Sequence, residues 1–166
     1  MPVTVSCRAA AGRPWARYAR TRATQILGVL GLGRDELSLS LVDDGEIRAL
    51  NAAYRRRDRA TDVLAFALTE DVAPEAPLTV ASTGRRGRVL GDVVISIDTA
   101  AAQARASRVA LAVRLDALLV HGVLHLVGYD HERSPAEERR MRRKEREVRA
   151  ALPPPRRETR AVGARR

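Results

Sequence analysis

The stretch HGVLHLVGYDH, His121–His131, holds all three histidines of a 166-residue chain inside eleven positions. On a helix, residues four apart share a face with their Cβ atoms about 5 to 6 Å apart, so His121 and His125 can aim ring nitrogens at one point. A continuing helix would carry the chain away from that point. Gly128 is the residue type best suited to the left-handed conformation that ends a helix, and the turn through Tyr129 and Asp130 can return His131 to the other two. The pattern H-x-x-x-H-x-x-G-x-x-H has the histidine and glycine spacing of the metzincin proteases.

Working outward, Ala110–Val127 reads as a buried helix: Ala117–Tyr129 is uncharged and apolar, too short to span a bilayer, and carries two histidines. Upstream, VLGDVVISI (89–97) is β-branched and apolar, a strand, with Asp98 or Thr99 as the cap of an Ala-rich helix. TDVLAFAL (61–68) suits a buried strand, and Thr69–Arg88, rich in Pro, Gly and Thr, reads as a long surface loop. ELSLSLV (36–42) alternates as a half-buried strand, and Asp43 or Asp44 caps a helix through Ile47 and Leu50. PVTVSC (2–7) alternates weakly, and Arg13–Leu30 has helical spacing that stops at GLG, 31–33.

Downstream, Ser134 as cap, Pro135 at the first helical position and Glu137 and Glu138 in the first turn begin a helix that Pro153–Pro155 end. These elements predict one α+β domain over residues 1–152: a small mixed sheet of about four strands packed by helices, with the histidine helix buried at its centre. Residues 153–166 have too little apolar content to fold and read as a basic, disordered tail.

Composition agrees with a single globular domain able to bury about two-thirds of its unfolded surface. Hydrophobic residues are 45% of the chain and aromatics only 3%, so aliphatic side chains must fill the core. One cysteine, Cys7, excludes an intrachain disulfide, and MPVTVSCRAAAGRPWARYAR (1–20) shows no apolar run followed by a small-residue cleavage site, so a reducing cytoplasm is expected. Of the net charge of +10, +7 falls from Glu132 onward, leaving the body nearly balanced. Because 29 of the 30 basic residues are Arg, codon bias accounts for the choice of Arg over Lys, though not for the excess.

Three imidazoles suit zinc, and three protein ligands leave a position for water, which is the pattern of a catalytic rather than a structural site. Asp130, beside a ligand, is a candidate to orient an imidazole. Where the proteases carry a glutamate base, this chain has Gly122, so hydrolysis of peptides by that route is disfavoured. Attack on a phosphodiester depends less on such a base, provided cationic groups stabilise the phosphoryl oxygens. The glycine costs up to about 1 kcal/mol relative to Ala inside a helix, and close approach of substrate or of a neighbouring strand is a motive for it.

Taken together, HGVLHLVGYDH, NAAYRRRDRATDVLAF (51–66) and GDVVIS (91–96) resemble the YbeY family of bacterial metal-dependent endoribonucleases over about residues 36–150. The resemblance implies that His121, His125 and His131 bind one zinc per chain, and that no nucleotide cofactor or membrane is involved. The family's N-x-x-Y-R-x-x-D pattern is met by Asn51, Tyr54, Arg55 and Asp58, which places its functional arginine on Arg55. That guanidinium is then the candidate catalytic and phosphate-binding group, with Arg56, Arg57 and Arg59 along the same RNA approach. The activity implied is single-strand-specific cleavage of RNA in 16S rRNA 3′-end maturation and ribosome quality control, with the small subunit as partner. Ala60 and Ala65 replace the family's usual Pro and Ser. Two other readings are a non-catalytic, zinc-stabilised rRNA-binding assembly factor and, against Gly122, a metalloprotease.

Overall fold

The computed structural model describes residues 2–68 and 87–155. Apart from Gly87 and Arg88, the loop expected over Thr69–Arg88 lies outside them, as does the expected tail beyond Pro155.

Four strands, β1 (Val3–Cys7), β2 (Glu36–Val42), β3 (Val63–Ala67) and β4 (Val89–Ser96), form one mixed sheet in the order β1-β2-β4-β3. β1 and β4 both run parallel to β2, and β3 closes the other edge antiparallel to β4. Alternation along β2 decides the two faces. Leu37, Leu39 and Leu41 join Val93 and Ile95 in the main core, while Val42, Leu64 and Val94 point to the opposite face.

The described residues also form five α-helices: α1 (Ala16–Val29), α2 (Asp44–Arg55), α3 (Ile97–Ala106), α4 (Leu111–Leu126) and α5 (Pro135–Ala151). The helix expected from Arg13 instead begins as a 3-10 turn over Ala10–Trp15 that contains Pro14, and becomes α-helical only at Ala16. Asp43 caps α2 by accepting from Glu46 N at 2.8 Å, and Ser134 caps α5 by accepting from Glu137 N at 3.1 Å. Neither Asp98 nor Thr99 caps α3. Its first turn starts directly off the strand, so the cap falls on Ser96, whose hydroxyl accepts from Thr99 N at 3.2 Å.

α4 lies on the main core face, packed against β3, β4, α1, α3 and α5, and ten of its sixteen residues are buried. Among the described residues α2 covers the other face, where Ile47 and Leu50 meet Val42, Leu64 and Val94. The C-terminal ends of α4 and α2 therefore stand on either side of the β3 edge, and the candidate site lies between them.

Candidate metal centre and cleft

α4 ends in the Schellman geometry that the glycine foretold. Gly128 has φ 101°, Gly128 N donates to His125 O at 3.1 Å and Tyr129 N donates to Leu124 O at 3.1 Å. Tyr129 packs back on the core. The reversal returns His131 so that its ring centroid lies 5.1 Å from that of His121 and 5.1 Å from that of His125, which are themselves 4.7 Å apart. One ring nitrogen from each falls within 4.8 Å of the others, a group that can hold a metal ion.

The protonation pattern fits that use. Burial, reinforced by the charges of His121 and His131, pushes His125 down to about 4, so at neutral pH its ring keeps a lone pair. Glu145 of α5 reaches His121 Nδ1 at 2.7 Å. Burial raises the Glu145 carboxyl, but the hydrogen bond from His121 and the charges of His121 and His131 outweigh this and hold it below the ordinary range. As a carboxylate it accepts from His121 Nδ1, and His121 Nε2 on the other side of the ring lies 3.1 Å from His125 Nε2. His131 Nδ1 is buried with no hydrogen-bond partner among the described residues. Three converging imidazoles, one of them with a buried ring nitrogen that no described group satisfies, form a donor set that fits a zinc ion.

Glu145 escaped the sequence reading, and Asp130 stands in a different role from the one expected. Asp130 accepts from Glu132 N at 2.9 Å and pairs with Arg133 Nε at 3.2 Å, bracing the turn rather than bonding to an imidazole. The orienting carboxylate instead comes from the basic helix α5, where Glu145, one of four glutamates among arginines, looks like one more surface charge. The sequence signal that was available is spacing: Met141, Glu145 and Val148 lie on one helical face, the two apolar ones buried.

The histidines open into a cleft of about 580 Å³. Arg55 and Arg57 line it from the end of α2, and Val63, Ala65 and Phe66 of β3 form its apolar wall. Arg55 is loosely held, 3.3 Å from Glu132 with both side chains substantially exposed. Arg56 and Arg59 are not among the lining residues. Arg56 is the left-handed C-cap of α2, at φ 55°, and the Arg59 carbonyl accepts from Asn51 Nδ2 at 2.8 Å. Asp58 forks Arg48, at 2.8 and 3.2 Å. Asn51 and Asp58 thus shape the loop that presents Arg55 and Arg57. Gly122 also borders the cleft, and its approach to a strand is real: a Cβ there would meet Val93 Cγ1 at 2.7 Å.

A family model described as Endoribonuclease YbeY matches residues 13–153. The chain belongs to this family. A relative from Anaeromyxobacter sp., named Endoribonuclease YbeY, is 49% identical over 148 residues, which cover 89% of this chain and 70% of the relative. Another of that name from Aquifex aeolicus is 43% identical over 138 residues, covering 83% of this chain and 79% of its own length. A solution structure from Thermotoga maritima matches with a TM-score of 0.61 over 90% of this chain and 87% of that one; at 24% identity the likeness is one of fold. Among the described residues no helix is long and apolar enough to cross a membrane.

Proposed function

We propose that the protein is a zinc-dependent endoribonuclease that cleaves single-stranded RNA, with the 3′ end of small-subunit 16S rRNA as substrate and ribosome quality control in the cytoplasm as its setting. The observation that carries this is the convergence of His121, His125 and His131 at the base of a cleft whose rim is Arg55 and Arg57, in a chain whose relatives bear the name endoribonuclease.

His121, His125 and His131 would hold one zinc, which when bound supplies Lewis acidity and water acidified toward pH 7. The chain's own residues do the rest. Glu145 keeps a proton on His121 Nδ1, fixing the tautomer and ring angle. Arg55 exchanges a half-exposed ion pair with Glu132, worth about 0 to 1 kcal/mol, for the scissile phosphate, which a guanidinium can grip through two parallel hydrogen bonds. Arg57 adds positive charge on the approach. The apolar strand β3 keeps water from one side of the cleft, which strengthens these interactions. Gly122 supplies no base at the position where the proteases have one, so the peptide-cleaving reading has nothing in its favour here.

The test combines metal content with cleavage of single-stranded RNA, using wild type, His125→Ala, Arg55→Ala and Glu145→Ala purified through a chelator step. The wild type should hold about one zinc, His125→Ala none, and Glu145→Ala should bind it about 10- to 100-fold more weakly. Arg55→Ala should keep zinc and lose cleavage. Cleavage persisting unchanged in both the His125 and Arg55 variants would sink the nuclease reading in favour of a zinc-stabilised RNA-binding factor.

A further inference from the structure

Beside the cleft, under α2 on the far face of the sheet, lies a second cavity of about 290 Å³. Tyr54 and Phe66 line both spaces, so the two aromatic rings form the partition between them. Their centroids are 5.2 Å apart at an interplanar angle of 63°, and Tyr54 is 70% exposed although it is one of the chain's few aromatic residues. Val42, Leu50 and Val94 supply apolar walls. One carboxylate in the cavity, Glu46, is already paired with Arg8. The other is Asp92, the cross-strand neighbour of Phe66 in the β3–β4 register. No hydrogen bond or ion pair from the described residues reaches it.

A half-buried carboxylate between aromatic and aliphatic walls repels phosphate and accepts from amines, which is how Asp and Glu read the N4 amine of cytosine. An exposed ring at the mouth of a phosphate-binding cleft offers a stacking face for an unpaired base. The geometry points to this cavity as a nucleobase pocket: a base of the single strand whose phosphate lies at Arg55 turns across Tyr54, stacks against it, and donates an exocyclic amine to Asp92. The inference rests on the single-stranded RNA reading above and deepens it. A duplex keeps its bases stacked inward and cannot fill the pocket, so the same feature supplies strand selectivity, and uracil, which has no exocyclic amine, fits less well than cytosine.

The measurement is steady-state cleavage of oligocytidylate and oligouridylate by the zinc-loaded protein, with wild type, Tyr54→Ala, Tyr54→Phe and Asp92→Asn. Stacking of one base predicts that Tyr54→Ala raises KM about tenfold with kcat nearly unchanged, and that Tyr54→Phe stays near wild type. Wild type should favour oligocytidylate by about tenfold in kcat/KM, and Asp92→Asn should erase most of that preference. A single 2-aminopurine in the strand should be quenched on binding to wild type and Tyr54→Phe but not to Tyr54→Ala, a readout that a merely structural role would not move. If RNA is cleaved while KM, the cytosine preference and the quenching are unchanged in Tyr54→Ala and Asp92→Asn, the pocket is overturned and the nuclease reading stands. A loss confined to kcat overturns it as well, since that would place Tyr54 at the chemistry. If the wild type cleaves no single-stranded RNA, the functional reading falls and the pocket falls with it.

Discussion

A methyl group at position 122 would sit 2.7 Å from Val93 Cγ1, 3.2 Å from Val93 Cγ2 and 3.4 Å from Val63 Cγ2. Val93 is fully buried and β-branched, so its χ1 has little freedom to yield. Two effects oppose each other in Gly122→Ala: helix propensity gains about 1 kcal/mol, and overpacking a filled core costs about 1 to 3 kcal/mol. The clash is with a stiff side chain on a central strand, so the cost prevails. Gly122→Ala should lower stability by about 1 kcal/mol in urea unfolding and, by lifting α4 off β4 next to His121, weaken zinc binding. A stabilised variant would show that the sheet gives way instead. The same contact explains why a glutamate could not simply be restored at this position. Among the single residues, the histidines and Gly128 were legible because their spacing is itself a geometric statement. Glu145 was not, because its partner lies on another helix 24 positions away.

Elements were legible where one periodicity dominates. The alternation of Leu37, Leu39 and Leu41 and the apolar run of α4 each admit one structure, whereas the order of the strands and the antiparallel course of β3 depend on pairings that no local pattern encodes. Junctions between elements were the least legible. Asp44, read only as a possible cap, accepts from Ser96 Oγ and Thr99 Oγ1, both at 2.5 Å, and so latches the start of α2 to the β4–α3 junction. The hydrogen bond from Ser96 first, then that from Thr99, holds the Asp44 carboxyl below its ordinary value. A depressed carboxyl stabilises the fold fully above its unfolded pKa of about 3.9, and that contribution is lost as pH falls through the lower folded value. Asp44→Asn keeps an acceptor but loses the charge, so it should cost about 1 kcal/mol at pH 7. In chemical denaturation run from pH 7 to pH 2, the gap to wild type should stay constant down to about pH 4 and then close. A gap that widens toward acid would contradict the latch.

At the scale of the molecule, α4 must be held in place from the side opposite the sheet. Arg22 of α1 and Asp116 of α4, each 5% exposed, form a two-pronged ion pair, Nε to Oδ1 at 2.8 Å and NH2 to Oδ2 at 2.6 Å. Tyr18 donates to the same carboxylate at 2.8 Å. The third nitrogen of Arg22 donates to the Pro153 carbonyl at 2.7 Å, so one guanidinium joins α1, α4 and the chain just beyond α5. α4 carries His121 and His125 while α5 carries Glu145, so this clamp and the histidine group depend on the same packing of two helices. Asp116→Ala strands a buried cation and should cost about 3 to 5 kcal/mol, whereas replacing both partners with apolar residues of similar volume should recover most of that loss. Calorimetry of Asp116→Ala and of the double variant Arg22→Met with Asp116→Leu, with and without zinc, separates two roles for the pair. If the pair only maintains the fold, the double variant restores both stability and zinc affinity. If its geometry also sets the register of α5 against α4, the double variant melts near wild type yet binds zinc more weakly, because Glu145 no longer meets His121. The Pro153 hydrogen bond favours the second outcome, since a methionine at position 22 has no donor for that carbonyl.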